Sequence, residues 1–342
     1  MTPRRALLTG HFSTVGDVEV LHQVQTRLDA VGMPYAVTPF SQHRVKSDPS
    51  WVPADALDPS EFTHLFVICG PYAPDYPAEY PWIFGRFRHC TQIGVNLTMV
   101  APLESCNPFD ALIERDSDRS VRPDLSFLTD APRVPVVGLC LVQSQREYGN
   151  RQQHDVAARR LRDVIRSTGA AIVELDTALP RSMNHAGIGT PEEFESICAR
   201  LDAVVTTRLH GTVLALKCGV PVVAVDAIRG GDKVTRQTRL LGWPESYVLD
   251  ETPDETLAGA LRRCLTPQMR QSARTCAAGA RDMLADYDAA FLATLDAAAD
   301  PSRRPPMPPR RGWPSRLAAR YRRWKRRWIP SRRAGMGPDA HS

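Results

Sequence analysis

The stretch from Asp202 to Val225 constrains the fold more than any other part of the chain. Ala203 to Thr207 is a short apolar, β-branched run of strand character. Gly211 to Cys218 has the composition of a helix, and Gly219 stands where a left-handed residue commonly ends one. Pro221 then opens a second apolar strand, Val222 to Val225. A strand, a helix and a strand so closely spaced predict a βαβ unit in a parallel sheet. Arg208 and His210 fall where the first strand turns into the helix. Such a turn lies at the carboxyl edge of the sheet, where open α/β folds place ligands. It is also a helix amino end, whose free N–H groups and dipole favour an anion. An arginine and a histidine there point to a phosphate or carboxylate ligand. The bland alternative is that they satisfy strand-end carbonyls.

The same alternation runs through the rest of the chain. Residues 6–9 read as a strand, followed by a loop containing Gly10, Gly16 and Asp17. A helix follows, with Val18, Leu21, Val24 and Leu28 on one face, and then a strand at Tyr35 to Thr38. This is the start of a Rossmann-like domain. The glycines are too far apart for a dinucleotide fingerprint, and no Walker motif is present. Asp17 is either a helix-capping carboxylate or a functional group. Leu65 to Gly70 and Ile93 to Val100 read as further strands. Between them, Pro71 to Trp82 is dense in proline and tyrosine, with aromatics suited either to packing or to stacking on a sugar ring.

Thr129 to Pro135 is punctuated by proline and marks a domain linker. The predicted domains are 1–130 and 134–300, followed by a tail, 301–342. In the second domain, Val136 to Val142 restarts the pattern, and a helix at Val156 to Ser167 and a strand at Ala171 to Leu175 follow. Thr190-Pro191-Glu192-Glu193 is a strong helix start. Ala227 to Arg236 reads as a basic, glycine-containing loop after a strand end, and two helices, 253–264 and 267–298, close the domain.

Composition excludes several classes. At 342 residues the chain can hold two cored domains. It has no run of eighteen apolar residues, so no transmembrane helix is expected. Arg4 and Arg5 precede only a brief apolar run, which reads as a first strand and not a secretory signal. The eight cysteines lack CxxC or zinc-like spacing, which predicts separately buried thiols in a reducing compartment and no metal site. The net charge of +5 hides an asymmetry: residues 301–342 hold 13 Lys and Arg against one acid, Asp339, so the first 300 residues carry −7. A mildly acidic body is not a nucleic-acid-binding domain, and no nucleic-acid partner is expected. Within the tail, Leu317, Tyr321, Trp324 and Trp328 share one face of a possible helix over 314–329, surrounded by arginines. That pattern suits an anionic membrane surface; a solvated tail or a partner-docking helix is the alternative.

The Arg208-Leu209-His210-Gly211 turn, followed by Ala215 to Ala224, resembles the polysaccharide pyruvyl transferase family. Other elements follow in family order: Gly16-Asp17 at the first helix, Arg115-Asp116 with nearby serines, Pro123-Asp124-Leu125-Ser126-Phe127, and Lys233 after the Gly-Val-Pro strand. The likeness spans roughly residues 6–250 of the chain. The chain departs from the pattern in having only Gly70 and then Pro71 after the strand at 65–69, and in lacking the asparagine that often precedes Gly-Asp.

The resemblance implies an α/β protein of two Rossmann-like domains facing a cleft, similar to the GT-B glycosyltransferases. The first domain would serve the acceptor and the second the donor. The donor would be phosphoenolpyruvate as a co-substrate, with no cofactor. The acceptor would be a hydroxyl pair on a polysaccharide or lipid-linked sugar, converted to a pyruvate ketal in exopolysaccharide or cell-wall glycan synthesis. The expected place is the cytoplasm, peripheral to the inner face of the cell membrane. Arg208, Gly211, Lys233 and Arg236 would bind the donor, arginine being suited to bidentate pairing with phosphate or carboxylate. His210 would hold the phosphate or act as the acid/base, since histidine titrates near neutrality. Asp17 would orient or deprotonate an acceptor hydroxyl. The competing expectations are a GT-B enzyme using a nucleotide sugar, and a non-catalytic glycan-binding relative.

Overall fold

In the computed structural model, which describes residues 4–75, 80–296 and 301–304, the local alternation becomes two parallel sheets built to one plan. The chain divides into two compact units between Arg133 and Val134, within the proline-punctuated stretch. The first unit contains β1 (Ala6–Gly10), α1 (Val15–Ala30), β2 (Tyr35–Pro39), β3 (His64–Tyr72), α2 (Tyr80–Arg86), β4 (Thr91–Met99) and β5 (Ala111–Ile113). Its sheet order is β2-β1-β3-β4-β5, all parallel.

The second unit begins with β6 (Val136–Cys140), α3 (His154–Ser167), β7 (Ala171–Leu175) and α4 (Pro191–Cys198). The central βαβ unit follows as β8 (Ala203–Thr206), α5 (Leu209–Lys217) and β9 (Val222–Asp226), and then come α6 (Lys233–Leu240) and β10 (Ser246–Val248). The last helices are α7 (Asp254–Cys264), α8 (Pro267–Asp282) and α9 (Tyr287–Ala293). The sheet order is β10-β9-β8-β6-β7. Counted within each unit, both sheets therefore run second, first, third, fourth, fifth. That is the doubly wound order whose direction switches between the first and third strands, where ligands gather.

Two apolar layers sandwich each sheet. In the first unit, Ala6 and Leu8 face Val20, Leu21, Val24 and Leu28 of α1, while Leu7 and Leu65 face Ile83 and Phe87 on the other side. In the second, Val137, Leu139 and Val205 pack against Leu161 and Ile165 of α3 and Leu257 and Leu261 of α7. Each such buried aliphatic side chain contributes about 1.5–3 kcal/mol of transfer free energy. The strands alternate faces because successive side chains point to opposite sides.

Several sequence expectations are corrected. The stretch before Arg236 is not all loop: α6 starts at Lys233, so Lys233 and Arg236 are helical. Asp226 makes this possible. Its buried carboxylate accepts from the N–H groups of Ile228, Asp232 and Thr235, pinning the glycine loop and the start of α6. The long helix expected over 267–298 breaks after Asp282, where Leu284, Ala285 and Tyr287 donate to carbonyls three residues back. Met283, Leu284, Tyr287 and Phe291 are exposed there, so no core packing holds a continuous helix. Among the described residues no helix is long and apolar enough to cross a membrane. The candidate tail helix over 314–329 lies outside the described residues.

Candidate functional site

The turn after β8 is stitched to the end of β6 at the sheet's switch point. Thr206 Oγ1 donates to the Cys140 carbonyl at 2.6 Å and accepts from Arg208 N at 3.0 Å. Thr207 Oγ1 accepts from Val142 N at 2.9 Å. Two threonines thus satisfy the strand-end backbone that a leucine or valine pair would leave open. Gly211 follows from the same crowding. A Cβ there would collide with Thr206 Oγ1 and press on Cys140 Sγ, so α5 can sit this close to the sheet only with glycine. The first intrahelical bond of α5 is Thr212 N to Arg208 O at 3.0 Å. The N–H groups of Leu209, His210 and Gly211 therefore lie in the unsatisfied first turn, which is the anion-binding end of a helix.

Arg208 is held from both sides. Its Nε donates to the Leu141 carbonyl at 2.8 Å, and one Nη pairs with Asp176 Oδ1 at 2.8 Å. Asp176, just past β7, is 1 % exposed, and its other oxygen meets His185 Nδ1 at 2.9 Å. Sequence reasoning missed Asp176 and His185, because a single aspartate after a strand carries no spacing signal. The pairing neutralises much of the Arg208 charge and fixes its direction.

Arg208, His210 and Lys233 line one cavity of about 320 Å3, together with Val142, Ser144, Gln145, Glu147, Thr177 and Leu209. Lys233, at the start of α6, has no salt-bridge partner among the described residues, and its Nζ lies 5.8 Å from the Tyr148 ring centroid. The ring face supports the ammonium without neutralising it. His210 is exposed and also lines an adjacent slot of about 130 Å3 walled by Leu179, Ile188, Phe194 and Leu214. The histidine thus stands between a cationic cradle and an apolar slot. Arg236 does not join them. It is exposed, pairs with Asp232 one helical turn back, and is absent from the cavity wall.

A third missed residue is His154, in the first turn of α3. It is 5 % exposed, and neither ring nitrogen has a hydrogen-bond partner among the described residues. Burial pushes its pKa below the usual histidine value. Asp155 and Asp226 oppose that shift, and Arg208 and Lys233 reinforce it. The imidazole is therefore neutral at neutral pH, within the field of both site cations.

In the first unit, Asp17 has the capping role. Its Oδ2 accepts from the N–H groups of Ser13 at 2.8 Å and Thr14 at 2.9 Å, while the Thr14 hydroxyl accepts from Asp17 N at 3.2 Å. This is a closed capping box at the start of α1. The family-like residues Arg115, Asp116 and Asp124 do meet. Arg115 pairs with Asp116 at 3.0 Å and Asp124 at 3.1 Å, and also bonds Thr98. Asn96 donates to Asp124 at 2.9 Å from a left-handed backbone, opposite the equally left-handed Cys69 in β3. Burial works against the Asp124 charge. The Ser126 N–H, the Asn96 amide and the Arg115 guanidinium outweigh it and hold the carboxyl down to about 2.

A family model described as polysaccharide pyruvyl transferase matches residues 139–227, from β6 through β9, and so encloses Arg208, His210 and Gly211 but not Lys233. No curated protein matches the chain. Among solved structures, the chain is similar to the Streptomyces sp. SF2575 glycosyltransferase SsfS6 complexed with thymidine diphosphate, at 16 % identity over 80 % of this chain and 95 % of that one, with a TM-score of 0.28. It is also similar to spinosyn rhamnosyltransferase SpnG complexed with thymidine diphosphate, at 11 % identity over 86 % and 100 %, with a TM-score of 0.32. A putative UDP-N-acetylglucosamine 2-epimerase from Listeria monocytogenes aligns at 12 % identity over 85 % and 97 %, with a TM-score of 0.29.

Proposed function

We propose that the protein is a pyruvyl transferase that moves the enolpyruvyl unit of phosphoenolpyruvate onto two hydroxyls of a sugar in a polysaccharide or lipid-linked acceptor. The observation that carries this reading is the family match, whose span encloses the Arg208–His210 turn at the switch point of the second sheet. The cavity chemistry supports it. Phosphoenolpyruvate carries a phosphate and a carboxylate, and the cavity offers Lys233, the Arg208 edge and the first-turn N–H groups of α5.

In this scheme the C3 methylene takes a proton, C2 becomes electrophilic, and one sugar hydroxyl adds to it. Phosphate leaves, and the second hydroxyl closes the ketal. The two hydroxyls release two protons; one balances C3 and the other leaves with phosphate. This scheme has His210, exposed at the border of the cationic cradle, carry a proton or hold the phosphate; its lining of both cavities supports that role. Lys233 and Arg208 hold the donor, and Asp176 keeps the Arg208 fork in position. No metal is required by this scheme. Asp17 closes the capping box of α1, and this scheme assigns it no step. Work on exopolysaccharide or cell-wall glycan would place the enzyme in the cytoplasm, at the inner face of the membrane, where the basic segment 314–329 would meet anionic lipid.

The test is incubation of the full chain with phosphoenolpyruvate and a panel of glycans. The expected result is a pyruvate ketal on the glycan with one phosphate released per ketal. Turnover only with a nucleotide sugar would replace this reading with glycosyl transfer. Failure of the wild type to bind phosphoenolpyruvate would leave only a glycan-binding role. For the tail, equal sedimentation with anionic liposomes with and without residues 301–342 would remove the membrane contact.

A further inference from the structure

Thr9 of β1 and Thr38 of β2 are register partners in adjacent parallel strands. Both are completely buried, and neither hydroxyl has a hydrogen-bond partner among the described residues. Both line a cavity of about 330 Å3 at the carboxyl end of the two strands, on the face of the sheet that packs against α2. Phe40, Trp82 and Ile83 complete its apolar wall, and among the described residues Asp55 is the one charged side chain lining it. Trp82 is half exposed, with the Arg86 guanidinium 5.7 Å from its ring centroid.

A buried hydroxyl without a partner is costly, and valine would fill the same space in a strand without that cost. Two such hydroxyls side by side, on residues that line one cavity, are what a site for a polar ligand requires. Adjacent strands lie about 4.8 Å apart, so the pair can exchange hydrogen bonds with two groups of one small molecule. Among the described residues the lining lacks the cations that a phosphate or carboxylate would need. What fits is an uncharged ligand with hydroxyls on one edge and a C–H face for the aromatic wall.

We propose that this cavity binds one sugar ring of the acceptor, with Thr9 and Thr38 bonded to ring hydroxyls and Trp82 covering the apolar face. Calling that sugar the acceptor rests on the pyruvyl-transfer reading; the sugar site itself rests on the two hydroxyls and the aromatic wall.

Methyl glycosides of glucose, galactose, mannose and N-acetylglucosamine, titrated into the full chain by saturation-transfer NMR, test it. At least one should bind the wild type. The Thr9→Val/Thr38→Val variant should melt no lower than wild type, since it keeps the side-chain shape and removes two orphan hydroxyls, yet bind about tenfold more weakly or worse. Trp82→Ala, at an exposed position, should also weaken binding. Absence of glycoside binding to the wild type, as for a cavity holding only water, or equal binding by wild type and both variants, as for a glycoside bound elsewhere, overturns the proposal. Calorimetry with phosphoenolpyruvate on the same proteins keeps the two readings apart. The threonine variant should bind it as wild type does. Loss of phosphoenolpyruvate binding by wild type itself would sink the transfer reading and leave the sugar site standing.

Discussion

The carboxyl edges of the two sheets share one strand order and use charge in opposite ways. At the second sheet, Lys233 and His210 face a cavity with no ion-pair partner of their own among the described residues, and only Arg208 is neutralised, by Asp176. At the first sheet, Arg115 is bound to Asp116, Asp124 and Thr98, so its charge is spent on holding the chain after β5 against β4. The cavity there is lined by hydroxyls and aromatics. One topology therefore carries a cavity lined by Arg208, His210 and Lys233 and a cavity whose described lining holds no cation, and the difference lies in which cations are left unpaired.

The strongest way to break this comparison is His210→Ala. If the imidazole moves a proton, kcat should fall by roughly a hundredfold to ten-thousandfold, with phosphoenolpyruvate affinity little changed. If instead affinity falls and kcat does not, His210 is a phosphate ligand. Lys233→Met should weaken phosphoenolpyruvate binding by about a hundredfold in calorimetry, whereas Arg236→Ala should leave it near wild type. Equal losses would restore Arg236 to the donor site. Gly211→Ala places a Cβ against Thr206 and should cost about 1–3 kcal/mol of stability, read as a lowered melting temperature.

The first sheet should respond to acid. Asp124 and Glu114 are each held down to about 2, Glu114 chiefly by the Arg119 hydrogen bonds. A depressed carboxyl contributes stability that is present above its unfolded pKa, near 4, and is lost as pH falls toward 2. Thermal melts across that window should show the decline, and Asp124→Asn with Glu114→Gln should flatten it. The smallest effect belongs to Asp17→Asn, which weakens a capping box by about 1 kcal/mol or less and should leave kcat nearly unchanged. A large kcat loss in a folded Asp17→Asn variant would return the residue to the chemistry.

Much of this molecule was legible along the chain. The β-branched runs, the stop at Gly219 (φ 69°) and the Thr190 cap, whose hydroxyl accepts from Glu193 N at 3.2 Å, are all local devices. Local devices can be read because their partners lie within a few residues. Even so, the Glu193 carboxylate accepts from Gly189 N at 2.7 Å, one residue before the Thr190 cap. The continuous helix expected over 267–298 is interrupted for the opposite reason: Met283, Leu284, Tyr287 and Phe291 are exposed past the end of α8, and residue order does not tell whether a core covers a helix.

What the sequence determined by itself is the α/β alternation, the place of the Arg208–His210 turn at a strand end, and the family its motifs resemble. These depend on periodicity and on residue order. What only the tertiary structure decided is which charges remain available. Asp176 and Leu141 reach Arg208 from just past the ends of other strands, Asp232 takes Arg236, the capping box takes Asp17, and Thr9 and Thr38 lie side by side on two strands with no hydrogen-bond partner for either hydroxyl among the described residues. A charge or a hydroxyl acquires its function from what it is paired with, and pairing across strands is set by sheet order and packing, which no spacing along the chain encodes.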